Sequence, residues 1–373
     1  MQNQNKIFKN KILFLVFLII VITPLIFMVF KYDKNQEKVV KIEKKEINFD
    51  GSDEYIYRKD FKSSVKIPFE VRKMIISHDK TKLFALGHDR DGFAVVDISK
   101  LSNLKIEKIY YYPKAKYSVE DTDMKESKDS KFLYLVSPNL GVLKFNAKTY
   151  EIVGKFSEKF ISKITLLDDI AFLKHKDGLF SLNLKTMEKI GEFKTCQSYN
   201  FIEKGDILVF DKNTAYMSDF CGLHILDIKN PDKIKEISVA KDKINTPISL
   251  KISQDKKTLF ENSLDGINKY DLSNPLKPLF LDEYVTNSRV YNFHLSRGLI
   301  LANRNKDGKD DVLVPGLDLL NSYFVVIKSY FMPEARVVDG VILNDEIIFK
   351  IDVGFDAFIG TIWKNSKINL YFL

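Results

Sequence analysis

The sequence predicts an all-β fold, a seven-bladed β-propeller of four-stranded blades preceded by a single N-terminal transmembrane helix. Three observations predict it. Residues 12–30 form an uncharged apolar run long enough to cross a bilayer core as a helix. From residue 55 onward, short runs of Val, Ile, Phe, Tyr and Leu alternate with Gly, Asn, Asp and Pro, the pattern of many strands joined by tight turns. A glycine also recurs with Asp or Asn five residues later, in seven copies: Gly92/Asp97, Gly141/Asn146, Gly178/Asn183, Gly222/Asp227, Gly266/Asp271, Gly316/Asn321 and Gly360/Asn365. The intervals between these glycines are 49, 37, 44, 44, 50 and 44 residues, each the length of one four-stranded blade.

The chain divides into a short tail (1–11), an anchor (12–30), a charged tether (31–54) and a propeller (55–373). A cleaved signal peptide would need small residues after the apolar run, and no Ala, Gly or Ser occurs between Phe30 and Asp50. A lipoprotein would need a cysteine there, and none follows. Pro24 kinks such a helix without preventing insertion. Lys31, Lys34, Lys38, Lys41, Lys44 and Lys45 outnumber Lys6, Lys9 and Lys11, so the positive-inside rule alone places the body in the cytoplasm. A short tail followed by a long folded domain is the arrangement of an exported signal-anchor protein. The expectation is a single-pass cytoplasmic (inner) membrane protein with its propeller on the outer, periplasmic side, and a cytoplasm-facing scaffold is the rival.

Composition excludes several classes. The net charge of +8 comes mostly from lysines spread along the chain, without an Arg-rich stripe or an aromatic RNA-binding motif, so nucleic acid is not an expected partner. Two cysteines, Cys196 and Cys221, allow neither a disulfide framework nor a four-Cys zinc site. No G-x-S-x-G elbow, Walker A or dinucleotide fingerprint is present, and the five histidines have neither HxH nor HExxH spacing.

Each repeat has a mechanism, for which the fourth copy serves as the example. Strands around residues 207–210 and 214–218 lead to a turn at 219–222, where Gly222 tolerates a positive φ. The strand GLHILD follows, and Asp227 can accept backbone N–H bonds as the chain turns into the outer strand. Ring closure has two candidate strands, KINLYFL at the C-terminus and residues 55–67 at the start of the propeller. Either one protects edges that an open ring would expose.

FAVVDIS (93–99), GLHILDIKNP (222–231) and DGINKYDLSNPLKP (265–278) resemble the LVIVD repeat of bacterial and archaeal cell-surface proteins, with its trailing D-[IVL]-S-x-P segment. The other four copies keep only the spacing. The resemblance covers about residues 70–373 and implies a surface-exposed propeller.

Loops between the second and third strands of each blade, and loops between blades, gather on one propeller face, the expected binding face. It receives His88, Asp89, Asp91, His175, Asp177, Asp219 and Asp265. Good hairpin chemistry accounts for Asp-Gly there, and an acidic face for a cation or basic partner is the sharper alternative. In the sixth loop, Asn303, Asn305, Asp307, Lys309 and Asp311 have spacing resembling the calcium loops of FG-GAP and integrin-type propellers, so Ca2+ is the one cofactor considered. Cys196 and Cys221 approach the same face and could pair, as suits an exported protein. The expected function is non-catalytic binding or scaffolding of an unidentified protein or polymer. A metal-assisted envelope hydrolase with its site at the channel mouth is the alternative.

Overall fold

The computed structural model describes residues 53–112, 122–195, 205–241, 247–263, 265–286, 290–307, 313–344, 346–353 and 355–362. The apolar run 12–30, the tether 31–52 and the C-terminal segment 363–373, which includes KINLYFL, lie outside them. Among the described residues no helix is long and apolar enough to cross a membrane.

The described chain forms seven antiparallel sheets, each with four strands in sequence order except at the closure. Blade 1 runs from Lys73–Ile76 to Lys105–Tyr111, blade 2 from Asp123–Glu126 to Ile152–Phe156, and blade 3 from Ile161–Leu167 to Glu188–Lys194. Blade 4 runs from Ile207–Val209 to Lys235–Ala240, blade 5 from Pro247–Ile252 to Leu279–Val285, and blade 6 from Phe293–Ser296 to Val326–Phe331. In blade 7 three strands, Val337–Leu343, Glu346–Val353 and Asp356–Ile362, are completed by Phe61–Ile67 from the start of the propeller, which pairs antiparallel with Asp356–Ile362. Of the two closing strands open in the sequence, the N-terminal one therefore takes the outer position. Its neighbour Asp53–Tyr55 adds a parallel fifth strand to blade 6, against Ser329–Phe331.

Closure is also visible in the packing. Seven apolar clusters among the described residues each lie between two adjacent blades, including one that joins Ile348, Ala357 and Ile359 of blade 7 to Leu83, Ala94 and Val96 of blade 1. A blade cannot bury both faces alone, so neighbours supply the core, and a ring leaves no face uncovered.

The recurrent Asp or Asn does what its position predicts. Asp97, Asn146, Asn183, Asp227, Asp271 and Asn321 each accept, on Oδ1, the backbone N–H two residues on, at 2.8–3.0 Å. The turns they shape are held by the preceding blade. Ser181, Tyr216 and Thr361 hydroxyls donate to the carbonyls of Pro231, Pro275 and Leu101, while the Lys144 and Lys269 ammonium groups donate to those of Leu184 and Ser322. The trailing Asn-Pro segment is thus a blade-to-blade fastener.

The glycine has a stronger reason than φ alone. At Gly178 (φ +138°), a Cβ would stand 2.1 Å from the Phe193 carbonyl of the outer strand. Gly178→Ala is expected to cost about 1–3 kcal/mol of unfolding free energy in a urea titration, since backbone must move as well as φ. The sixth and seventh copies correct the sequence reading: Gly316 is mid-strand, paired with Arg304 and Phe331, because the blade 6 hairpin extends past it to Asp307 and Leu313. Gly360 is mid-strand, paired with Phe349 and Ser64, and the blade 7 hairpin instead turns between Val353 and Asp356. Gly360 is kept small by the Phe61 ring and Ser63 carbonyl of the closing strand.

Candidate functional site: the loop face and the channel wall

In blades 1 to 5 third strands begin at the hairpin glycines and outer strands end beside them, so hairpins and inter-blade loops share one face. The sequence places seven polar residues there, and most of them turn inward. His88 is buried with Nε2 3.6 Å from Glu70, which also pairs with Arg336. Asp89 is buried and accepts from the Asn139 amide of blade 2, and Asp91 accepts the His88 N–H at 3.2 Å. His175 stacks on Phe180 at 4.4 Å, and burial holds its imidazole below the usual range despite Asp177. Only Asp265 stands well exposed, with Asp91 and Asp177 partly so.

Asp219 belongs to a third arrangement. Its Oδ1 lies 2.9 Å from His224 Nε2, and Glu236 Oε2 lies 2.6 Å from Nδ1, with Thr195 Oγ1 3.2 Å from Nε2. Burial pushes this imidazole down, but Asp219 and Glu236 push it up further, and the net direction is upward. The Cys221 N–H donates to Asp219 Oδ1 at 2.7 Å. No free cysteine occurs among the described residues, and Cys196, its counterpart in the expected pair, lies outside them.

What the loop face does expose is aromatic. Phe355 in the blade 7 hairpin is 81% exposed, Tyr111 at the end of blade 1 is 61%, Tyr291 before blade 6 is 51%, and Phe220 in the blade 4 hairpin is 37%. Four aromatic side chains left in water at one end of the fold mark a candidate interaction surface, while the exposed apolar groups elsewhere are mainly aliphatic ones on outer strands, such as Leu279 and Val153, with Tyr323 at the opposite end of blade 6. No spacing rule flags them, because each lies in a different loop.

Asn303, Asn305 and Asp307 fall on one strand, Leu299–Asp307, paired with Leu313–Asn321 as a long hairpin. The Asn303 side-chain oxygen Oδ1 accepts the N–H groups of Tyr291 and Asn292 at 2.8 and 3.2 Å, tying down the preceding loop. Lys309 and Asp311 and the side chains of Asn305 and Asp307 lie outside the description. Among the described residues no three His, Cys, Asp or Glu side chains could hold a metal ion together.

The channel wall was missed by the sequence reading. First strands of blades 2 to 5 touch in succession, as do those of blades 6 and 7, and the register sets Lys73, Asp123, Lys163, Asp206, Ser249, Asn292 and Asp339 at equivalent positions, one per blade. Asp123 is buried, 2.5 Å from the Lys73 ammonium, and accepts the Ile164 N–H of blade 3 at 3.2 Å. Burial pushes its carboxyl up, but Lys73, Lys125 and Lys163 hold it well below the ordinary range. Asp206 accepts the Leu250 N–H of blade 5 at 2.9 Å, and Asn292 donates to Asp339 of blade 7 at 2.9 Å. Inner strands are thereby laced across blade boundaries. Stacking the repeats on their second strands would have shown this column.

No protein-family model matches the chain, and no curated protein matches it. Solved structures share its shape. The β-propeller domain of Myceliophteria thermophila Cps50 (Swd1) superposes with a TM-score of 0.62 at 9% identity, over 80% of this chain and 100% of that one. The C-terminal WD40 domain of Sif2 gives 0.56 at 11% identity, over 80% of this chain and 97% of that one. A functionally unknown protein from Desulfotomaculum acetoxidans gives 0.52 at 12% identity, over 70% of this chain and 85% of that one. At these identities the likeness shows the propeller fold.

Proposed function

We propose that this chain is a membrane-tethered, non-catalytic binding propeller of the cell envelope, which holds a protein or polymer partner on its loop face. The observation that carries the reading is the set of exposed aromatics, Tyr111, Phe220, Tyr291 and Phe355, at the end of a fold whose other polar loop residues are largely paired inward. Aromatic side chains give large contact area at low entropic cost and dominate binding energy at interfaces. The apolar run 12–30 supplies the anchor and the charged segment 31–54 the spacer, with the propeller on the outer side. The motif resemblance to LVIVD repeats supports that placement, and likeness to WD40-type propellers supports a protein-binding role.

The test compares partner capture by tagged full-length chain, wild type against a Phe220→Ala, Tyr291→Ala, Phe355→Ala triple variant. The expected result is loss of the bound species with an unchanged melting temperature, because none of the three side chains is core. Equal capture by both proteins would overturn the assignment of this face.

A further inference from the structure

The channel wall carries more positive charge than its carboxylates answer. Lys125 and Lys251 lie two residues after the lacing positions Asp123 and Ser249 on the first strands of blades 2 and 5, and so on the same side of the strand, with Lys163 at the lacing position of blade 3. Asp123 is spent on Lys73 and two backbone N–H groups, Asp206 on the N–H groups of Ile207 and Leu250, and Asp339 on Gly340 and Asn292. Among the described residues Lys125, Lys163 and Lys251 have no carboxylate within ion-pair distance, although all three keep partial access to solvent. The Lys251 ammonium has an aromatic ring, Phe293, 5.2 Å away. Lys251 is partly exposed by surface area yet closely surrounded by protein, the situation of a side chain in a narrow channel. Desolvation first, then repulsion from Lys73 and Lys125, pushes its ammonium down to about 8, against the pull of Asp206 and Asp339.

We propose that the central channel binds a small multivalent oxyanion of the phosphate class, held by Lys125, Lys163 and Lys251 from three blades. Like charges gathered in excess of the carboxylates near them are costly, and an anion relieves that cost. The chemistry favours phosphate over a carboxylate ligand. Lysines are point donors that suit a tetrahedral group with charge spread over several oxygens, whereas paired recognition of a planar carboxylate draws on the arginine fork. None of the seven first strands contains arginine. The site is separate from the aromatic loop face, so each proposal can fail without the other.

The experiment is a thermal melt and calorimetric titration of the full-length chain in detergent, with ionic strength held by chloride and with phosphate, tripolyphosphate or acetate added. The expected result is a rise in melting temperature that is larger for tripolyphosphate than for phosphate and absent for acetate. Lys251→Gln is expected to weaken tripolyphosphate binding about tenfold, the loss of one charge-assisted contact. Without anion the same variant should melt at or above wild type, since a crowded, desolvated charge is gone. A lysine with only a structural role would lower that unliganded melt. Should Lys251→Gln fail to fold, Lys125→Gln carries the same readouts. No rise above the chloride control, an equal rise with acetate, or full retention of the response in the variant overturns the proposal.

Discussion

Asp123→Ala is expected to destabilise the propeller by about 3–5 kcal/mol, the range for removing one partner of a buried ion pair. The side chain is buried at 1% exposure and joins three blades at once, through Lys73 of blade 1, its own strand in blade 2 and the Ile164 N–H of blade 3. Alanine removes the buried carboxylate that Lys73 pairs with and strands the backbone donors of Met124 and Ile164, which carry their own desolvation cost. Asp123→Asn retains an acceptor for the N–H groups and should lose about half as much. The sign of the pH dependence follows from the depressed carboxyl. Stability from a lowered pKa is present above the unfolded value, about 3.9, and is lost as pH falls through the folded one. The gap between wild type and Asp123→Ala in urea midpoint should therefore be constant from neutrality down to about pH 4 and close only in stronger acid. A difference under about 1 kcal/mol at pH 7 would show that the lacing is incidental.

His224→Ala should be the next most costly change, about 2–4 kcal/mol at pH 6, because it leaves the buried Asp219 carboxylate with little but the Cys221 N–H. The Glu236 contact adds less, since that side chain is 37% exposed and water screens it. Here the sign is opposite to that of Asp123. A raised folded pKa gives stability that is complete below the unfolded value, about 6.5, and disappears as pH rises through the folded one. Wild-type melting temperature should fall as pH is raised above about 6.5, and His224→Gln should lack that step. A wild-type profile that rises over the same interval would mean that the imidazole is neutral in the folded protein.

Much of the fold was legible because propeller blades repeat local chemistry. The spacing of glycine and Asp or Asn identified six turns whose side chains accept the N–H two residues on, and the seventh copy completed the blade count although its glycine lies mid-strand. A further local signal went unread. Ser77 with Asp79, Ser127 with Asp129, and Ser253 with Asp255 share a hydroxyl-to-carboxylate bond at 2.6–2.7 Å in the turn after the first strand of blades 1, 2 and 5. Gly360 misled for the converse reason, since a glycine required by a neighbouring strand's ring and carbonyl looks in sequence like one required by a turn.

The site was legible only as a face. Hairpin position locates loop residues, but the direction of a side chain depends on what the adjacent blade offers it. Asp89 turns to Asn139 of the next blade, while Asp219 turns to His224 of its own.

By itself the sequence determined the repeat, the number of blades and the turn chemistry, since each depends on residues within half a dozen positions of one another. Tertiary structure alone decided that residues 61–67 close the ring, that the inner strands carry a laced column of Lys and Asp, and that the loop face is aromatic. Those features join residues from blades far apart in sequence, such as Lys73 with Asp123 or Phe61 with Ile362. Their energies come from burial and charge that exist only once the ring has formed.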